Sequence, residues 1–199
     1  MADVSARPAT PADLPRVVPA LAAAFAGDPP LSHLLPDPSR RRARLERYFA
    51  ALLPRLYLRL GEIWVTEEPA GAAVWVAPDR WPPTLRDQRP VAGALARTFW
   101  RNPVRALASS AVIERGHPRE PHWYLDYLGV DPAAHGRGTG SALLAPVLER
   151  CDRVGAGAYL NAGSPRSREL YRRHGFEVTE EFSLPFEGPP LWRMWRPPR

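Results

Sequence analysis

At 199 residues, 45% hydrophobic and 24% charged, the chain has the composition of one folded domain over residues 1–199, which excludes disorder; a lone cysteine, Cys151, excludes an intrachain disulfide scaffold. All 27 basic residues are arginine, and the net charge of +6 is interleaved with 21 acidic residues, a balance that attracts phosphorylated ligands without forming one nucleic-acid surface. The most apolar stretch, VVPALAAAFAG, is short and interrupted by Pro19, so a cytoplasmic protein with no membrane partner is expected.

Thr10, Pro11 and Asp13 supply a cap, a first-turn proline and an acid at the positive end of a helix that continues through LPRVVPALAAAF. A second helix opens at Asp37, carries Tyr48, Leu52 and Leu53 on one face, kinks at Pro54 and stops at Gly61. Its arginine-dense start, SRRRARLER, is the solvated face of that helix, and no nucleic-acid partner is expected. EIWVTEEPAGAAVWVAP reads as a β-hairpin with a Glu, Pro and Gly turn, and helical pattern returns from Pro82 to Gly116, restarted at Asn102 and Pro103.

The second half alternates. HWYLDYLGV is a strand, GTGSALLAPVLERCDRVG a helix with Leu143, Val147, Cys151 and Val154 on one face, GAYLN a strand, and SPRSRELYRRHG a helix closed by Gly175. FEVTEEFSLPF and LWRMWRP close the chain as strands, which makes a mixed α/β layer architecture.

Between HWYLDYLGV and its helix lies HGRGTG, residues 135–140. Glycines at a strand-to-helix turn permit positive φ and bring backbone N–H groups to a helix N-terminus, where a phosphate is favoured; the plainer alternative is a tight turn with no ligand. The dinucleotide fingerprint fails because the spacing is G-x-G-x-G and the next strand ends in Asn161, not an acid; the phosphate loop ending in Gly-Lys fails because the chain has no lysine.

LGVDP, HGRGTGSALL and ELYRRHGFE, in this order, resemble the acetyl-coenzyme A binding core of the GNAT N-acetyltransferase superfamily. The likeness extends over nearly the whole chain to the members like puromycin N-acetyltransferase, through PADLPRVVPALAAAFAGDPP, GEIWVTEEPAGAAVWVAP and REPHWYLDYLGV; even Pro146, inside a helix, has a counterpart there. The resemblance implies an α/β (α+β) fold with a mixed, mostly antiparallel twisted sheet of six or seven strands and helices on both faces. It implies acetyl-coenzyme A as cofactor, with backbone groups of Leu128, Gly129 and Val130 on the pantetheine arm and acetyl carbonyl. His135, Gly136, Arg137, Gly138, Thr139, Gly140 and Ser141 would surround the pyrophosphate, and Ser167 stands where a near relative has Asn. Tyr171 falls at the usual general acid, which protonates the leaving thiolate. His135 replaces the usual Gln or Arg, Thr139 an aliphatic residue, and Asn161 a Glu of the puromycin enzyme.

Acetyl transfer to an amine needs a neutral amine at the thioester carbon, donors for the developing oxyanion and a proton for sulfur. A phenol with a pKa near 10 suits the last task. Tyr124, Asp126, Leu128 and Val130 share one strand face by the period of two, so Asp126 either serves as base at the acetyl group or pairs with an arginine. Cys151 is read as core, His174 as a cation at a helix C-terminus, and the histidines show no metal-ligand spacing, so no metal is expected. Trp64, Trp75, Trp100, Trp123, Trp192 and Trp195 are core, sheet surface or the lining of a cleft for a flat amine. The activity expected is acetyl transfer to a small-molecule amine, such as an antibiotic, by direct attack in a ternary complex, in a monomer or homodimer. The alternatives are an inactive coenzyme A-binding sensor and a protein or peptide N-acetyltransferase.

Overall fold

The computed structural model describes residues 4–67 and 70–199; part of the predicted hairpin turn, at 68–69, and residues 1–3 lie outside the described residues. The fold is α/β, with a mixed sheet in the order β1-β2-β3-β4-β5-β7-β6. Its strands are β1 (Ala6–Pro8), β2 (Gly61–Thr66), β3 (Gly71–Val76), β4 (His122–Val130), β5 (Gly157–Ala162), β6 (Glu177–Ser183) and β7 (Pro190–Arg196). Neighbours are antiparallel except β4 and β5.

β1 is an addition to the sequence reading: three residues pair with β2 from Ala6↔Thr66 to Pro8↔Trp64, and proline is tolerated at this edge. Arg7 fastens the strand to the start of α1 (Leu14–Phe25) by donating from Nη1 and Nη2 to the two Asp13 oxygens at 2.9 and 2.7 Å. Asp13 also accepts from the Thr10 N–H and hydroxyl, so the predicted cap forms around a short 3₁₀ turn, Pro11–Asp13.

Every strand of the middle of the sheet serves two cores, which is why β3 reads as a continuous apolar run. Ala72, Val74 and Val76 face one core with Val17, Leu21, Leu45 and Phe49; Ala73 and Trp75 face the other with Leu143, Val147 and Cys151. Helices α1, α2 (Pro29–Leu34) and α3 (Pro38–Leu52) are on the first side, and α8 (Thr139–Val154) and α9 (Pro165–Arg173) on the second. Val154, expected in the core face of α8, is instead 63% exposed, because the helix has reached its Gly155 stop and left the sheet.

The predicted second helix is divided. α3 ends at Leu52, a five-residue π turn covers Leu53–Tyr57, and the last turn, α4 (Leu58–Leu60), leads into Gly61. A wider turn absorbs the N–H that Pro54 lacks, and it delivers Tyr57 to the inner side. The stretch after Pro82 forms three helices, α5 (Leu85–Gln88), α6 (Ala92–Phe99) and α7 (Pro103–Arg115), which lie over the side occupied by α3.

Two irregularities in the centre position the site. Parallel pairing of β4 with β5 runs only from His122↔Gly157 to Leu125↔Leu160, after which the strands separate into a fork. Against β3, Trp75 pairs with Leu125 and Val74 with Tyr127, so Asp126 is an extra residue, a β-bulge placed at the opening of the fork.

Candidate active site

The glycine turn is built to receive an anion. Gly136 and Gly138 take φ of +78° and +81°, values that L side chains resist, and open space surrounds the position of a Cβ on each. α8 begins at Thr139, and its first return bond of this turn is Ala142 N–H to the Gly138 carbonyl at 3.0 Å. The amides from Gly136 to Ser141 therefore have no backbone acceptor among the described residues, at the positive end of a sixteen-residue helix. This is the donor set a pyrophosphate needs, so the residues fit coenzyme A.

The flanking side chains have other duties. His135 Nε2 lies 3.0 Å from the Val130 carbonyl and ties the turn back to β4, while Thr139 is buried under the helix. Gly140 leaves room for α9, since a Cβ there would sit 3.3 Å from Leu170 Cδ2. Arg137 is exposed and outside the cleft lining; Arg166 and Arg173 line it instead. Ser141 Oγ is 3.0 Å from His174 Nε2. Burial and the neighbouring Arg173 and Arg196 push the His174 pKa down, so the expected cation at the end of α9 is a neutral imidazole held by hydrogen bonding. Ser167 lines the cleft, but its hydroxyl closes the α9 cap, donating to the Ser164 carbonyl at 2.9 Å.

Beyond the fork, β4 is paired with β3 only, so Leu128, Gly129 and Val130 present peptide groups on the edge that faces the cleft. Gly129 has a packing reason of its own: a Cβ would meet Leu21 Cδ2 at 2.7 Å and Phe25 Cε2 at 2.9 Å on α1. The bulge corrects the predicted strand face. Tyr124 packs in the α1/α3 core and Asp126 bonds there, but Leu128 and Val130 pack on the α8 side. One extra residue turns the later part of the strand over.

Asp126 is half-buried and makes no arginine pair among the described residues; it accepts hydrogen bonds from the hydroxyls of Tyr57 and, at 3.2 Å, Tyr124. Burial outweighs these donors and raises its pKa to about 6. The Tyr48 and Tyr127 hydroxyls, 2.7 Å apart, continue the phenolic wall.

Tyr171 enters from the opposite side of the fork. It is 7% exposed, packs edge-on against Phe176 and lines the cleft, with no hydrogen-bond partner for its hydroxyl among the described residues. Burial first, and then the charge of Asp28, raise its pKa above the ordinary value near 10, so the phenol is held protonated more firmly than the sequence reading expects. Asp28 was not anticipated as a site residue; its visible signal was the Asp-Pro-Pro start of α2, where it accepts from the Leu31 N–H at 3.2 Å. Burial raises its own pKa to about 6.

The cradle, the fork and both side chains line one continuous cleft of about 1640 Å³. Its far end, past Asp126, is walled by Tyr48, Tyr57, Trp81, Leu95, Phe99 and Ile113. The aromatic lining comes from tyrosines, phenylalanines and Trp81. Trp64, Trp75, Trp123 and Trp192 belong to the α8 core, Trp195 packs against the α1/α3 core, and Trp100 is 63% exposed. Behind the wall, Trp81 stacks on His117, whose Nε2 is 3.0 Å from His122 Nε2; burial lowers the His117 pKa to about 3, so this pair is neutral. Cys151 is fully buried with a thiol pKa raised to about 11, as a packing residue would be. Among the described residues no helix is long and apolar enough to cross a membrane, and no cluster of three His, Cys, Asp or Glu could hold a metal ion.

A forked mixed sheet with an anion cradle at one end of the gap and an acid and a phenol across its middle defines a group-transfer enzyme. The model of the acetyltransferase (GNAT) family matches residues 40–176, and the chain belongs to that family and is an acyltransferase. A crystal structure from Corynebacterium glutamicum, described as histone acetyltransferase HPA2 and related acetyltransferase, is 32% identical, with 98% of this chain and 97% of that one covered and a TM-score of 0.77. A polyamine N-acetyltransferase of Drosophila melanogaster, which forms N-acetylagmatine, shares the fold at 18% identity and a TM-score of 0.66, with 98% and 100% covered. An uncharacterised N-acetyltransferase of Schizosaccharomyces pombe is 26% identical over 148 residues, 68% of this chain and 56% of that protein, so the chain spans just over half the length of that curated relative. Enzymes of this family generally use acetyl-coenzyme A and act on small-molecule or peptide amines.

Proposed function

We propose that residues 1–199 form one N-acetyltransferase domain that moves the acetyl group of acetyl-coenzyme A to the amine of a small molecule by direct attack in a ternary complex. The observation that carries this reading is the single cleft that runs from the amides of the glycine turn, through the fork, to a carboxylate on one side and a phenol on the other. Bound acetyl-coenzyme A would supply a thioester carbonyl as the electrophile. The amides from Gly136 to Ser141 would hold its pyrophosphate with help from Arg166 and Arg173, and the open edge of Leu128, Gly129 and Val130 its pantetheine arm and acetyl oxygen. His135, Thr139 and Ser167 shape this surface more than they contact it, and Arg137 is left for the outer phosphate.

Asp126 accepts a proton from the amine as the nitrogen bonds to the acetyl carbon; with a pKa of about 6 it is ionised at neutral pH yet basic enough to accept. Tyr171 donates its proton to sulfur as the carbon–sulfur bond breaks and regains one from solvent. Burial, and after it the charge of Asp28, keep that phenol in its protonated form between turnovers. Helices α5, α6 and α7 cover the acceptor end, which favours a small molecule of the kind handled by puromycin N-acetyltransferase over a side chain on a folded protein. Calorimetry with acetyl-coenzyme A, paired with thiol release over a panel of amines that includes puromycin, tests the assignment. Absence of cofactor binding would refute it, and tight binding without turnover of any amine would mark a sensor.

A further inference from the structure

The outer surface of α3 and α6 carries charge that the fold does not use. Arg40, Arg44 and Arg47 fall at i, i+4 and i+7 on one face of α3, and α6 packs beside it with Arg97. These four arginines border one groove of about 430 Å³ with Ala43 and Trp100, and no acid lines it. Asp37 lies 3.7 Å from Arg40, but Arg44, Arg47 and Arg97 have no ion pair or hydrogen bond among the described residues. Like charges three and four apart on a helix repel, so the groove is a cost to the fold that an anion would relieve.

Apolar groups stand alongside. Trp100, directly after α6, is exposed at the groove, with the Arg101 guanidinium carbon 5.3 Å from its ring centre. Four residues further on, Val104 is 67% exposed, and Leu107, three apart from it on α7, is 72% exposed. A single exposed apolar residue is ordinary; here three fall within eight positions, on helices whose inner side already walls the cleft through Phe99 and Ile113. This helical layer therefore has an apolar outer face as well as an apolar inner one. Leu107 also lines the cleft, so the outer face adjoins it. From residue 88 to 113 the chain holds Arg89, Arg97, Arg101 and Arg105 and no acid.

We propose that this face docks on an anionic lipid bilayer, with Arg44, Arg47 and Arg97 on the phosphate headgroups and Trp100, Val104 and Leu107 at the boundary with the acyl chains. The combination of the two chemistries selects the partner. Guanidinium groups find anions at the headgroup level, and an indole with aliphatic neighbours finds apolar surroundings just beneath it. A nucleic acid would engage the arginines through its phosphates and leave Val104 and Leu107 in water. The expectation of no membrane partner rests on the lack of a spanning stretch; no helix among the described residues is long and apolar enough to cross a membrane, but a contact of this kind needs only a face.

The test is co-sedimentation of the full chain with vesicles of phosphatidylcholine alone or with about 30% phosphatidylglycerol, in about 0.1 M salt. The wild type is compared with Arg44→Gln/Arg47→Gln/Arg97→Gln and with Trp100→Ser/Val104→Ser, and urea melts and acetyl-coenzyme A calorimetry check that each variant is folded. The wild type should bind the anionic vesicles at least about 30-fold more tightly than the neutral ones and be released by about 0.5 M salt, a reading that needs no variant. Each arginine at an anionic surface is worth about fivefold, so the arginine variant should lose about 100-fold, and the serine variant about 10-fold or more, with cofactor affinity within about threefold of wild type. Wild type that binds neither vesicle, or both alike, overturns the proposal. Loss in the arginine variant with none in the serine variant also overturns it, because it marks adsorption of a basic chain with no apolar entry. Binding of a DNA duplex or of a second copy of the chain, weakened by the same substitutions and without vesicle binding, gives the face to that partner instead. None of these outcomes touches the acetyltransfer reading, which the calorimetry of the wild type tests separately.

Discussion

Tyr57→Phe should displace the acidic limb of the pH–rate profile upward. The hydroxyl of Tyr57 donates to Asp126 and favours its charged form; Tyr57 is 3% exposed and its ring packs against Tyr127 at 5.9 Å, so phenylalanine keeps the packing and deletes the donor. Hydrogen bonds to charged groups are worth about 1.5–3 kcal/mol and one pKa unit is about 1.36 kcal/mol, so the carboxyl should rise by roughly 1–2 units. With the wild-type group at about 6, kcat/KM should climb through pH 6 in the wild type and through about pH 7–8 in the variant. At pH 7 the variant should therefore lose about 2- to 10-fold, recovering above pH 9. The assay is kcat/KM by thiol release from pH 5 to 9.5 with one amine, whose own ionisation is then common to both enzymes, and with Asp126→Asn as control. A limb that stays near pH 6 in Tyr57→Phe, or that persists in Asp126→Asn, refutes Asp126 as the base.

The same carboxyl predicts a stability trend. Its folded pKa of about 6 is above the unfolded value of 3.8, so between these two pH values the native state alone retains the proton and stability falls as pH rises. Asp126→Asn should thus gain up to about 3 kcal/mol over wild type at pH 8 but little at pH 3.5, measured by urea unfolding. Tyr171→Phe should lower kcat by about 100-fold while leaving acetyl-coenzyme A affinity intact, because the ring stays packed on Phe176; an unchanged kcat would remove the phenol from the mechanism. Gly138→Val places a β-branched residue at φ +81° and a Cβ in the phosphate space, so cofactor affinity should fall at least about 100-fold, with roughly 1–2 kcal/mol of stability lost to backbone strain; calorimetry and urea melts separate the two effects. Asp152→Ala strips the buried Arg196 of two bonds at 2.7 Å and should cost about 2–4 kcal/mol in urea unfolding at pH 7, a loss that shrinks as wild-type Asp152 protonates in acid.

The cradle was legible because its signal is local: glycines, a following amphipathic helix and the strand before them all fall between His122 and Val154, and the chemistry is mostly backbone. Tyr171 was legible for a similar reason, with the helix, the closing Gly175 and Phe176 adjacent in the chain. Asp126 was found, but not its partners. An arginine pair and a tyrosine cluster are equally compatible with the string YLDYL, and the choice depends on Tyr57, brought from 69 residues away by a π turn that no periodicity announces. The strand face was misread because a period of two assumes an unbroken ladder, and the bulge depends on pairing with β3. Trp81 escaped notice since its place in the cleft wall comes from the helices packed around it, which no local pattern reveals.

The extra residue at the fork separates two kinds of inheritance within one strand. Because position 126 has no counterpart on β3, the ladder on either side closes without it, and its side chain is answerable to the cleft and not to the sheet. Exchange of that residue should therefore retune the acceptor chemistry while the scaffold stays put, and its deletion would remove the base while Leu125 and Tyr127, already matched to Trp75 and Val74, close the ladder with their present cores. A lineage carrying this strand is free to diversify its substrates by point substitution here, because the sheet asks nothing of that side chain.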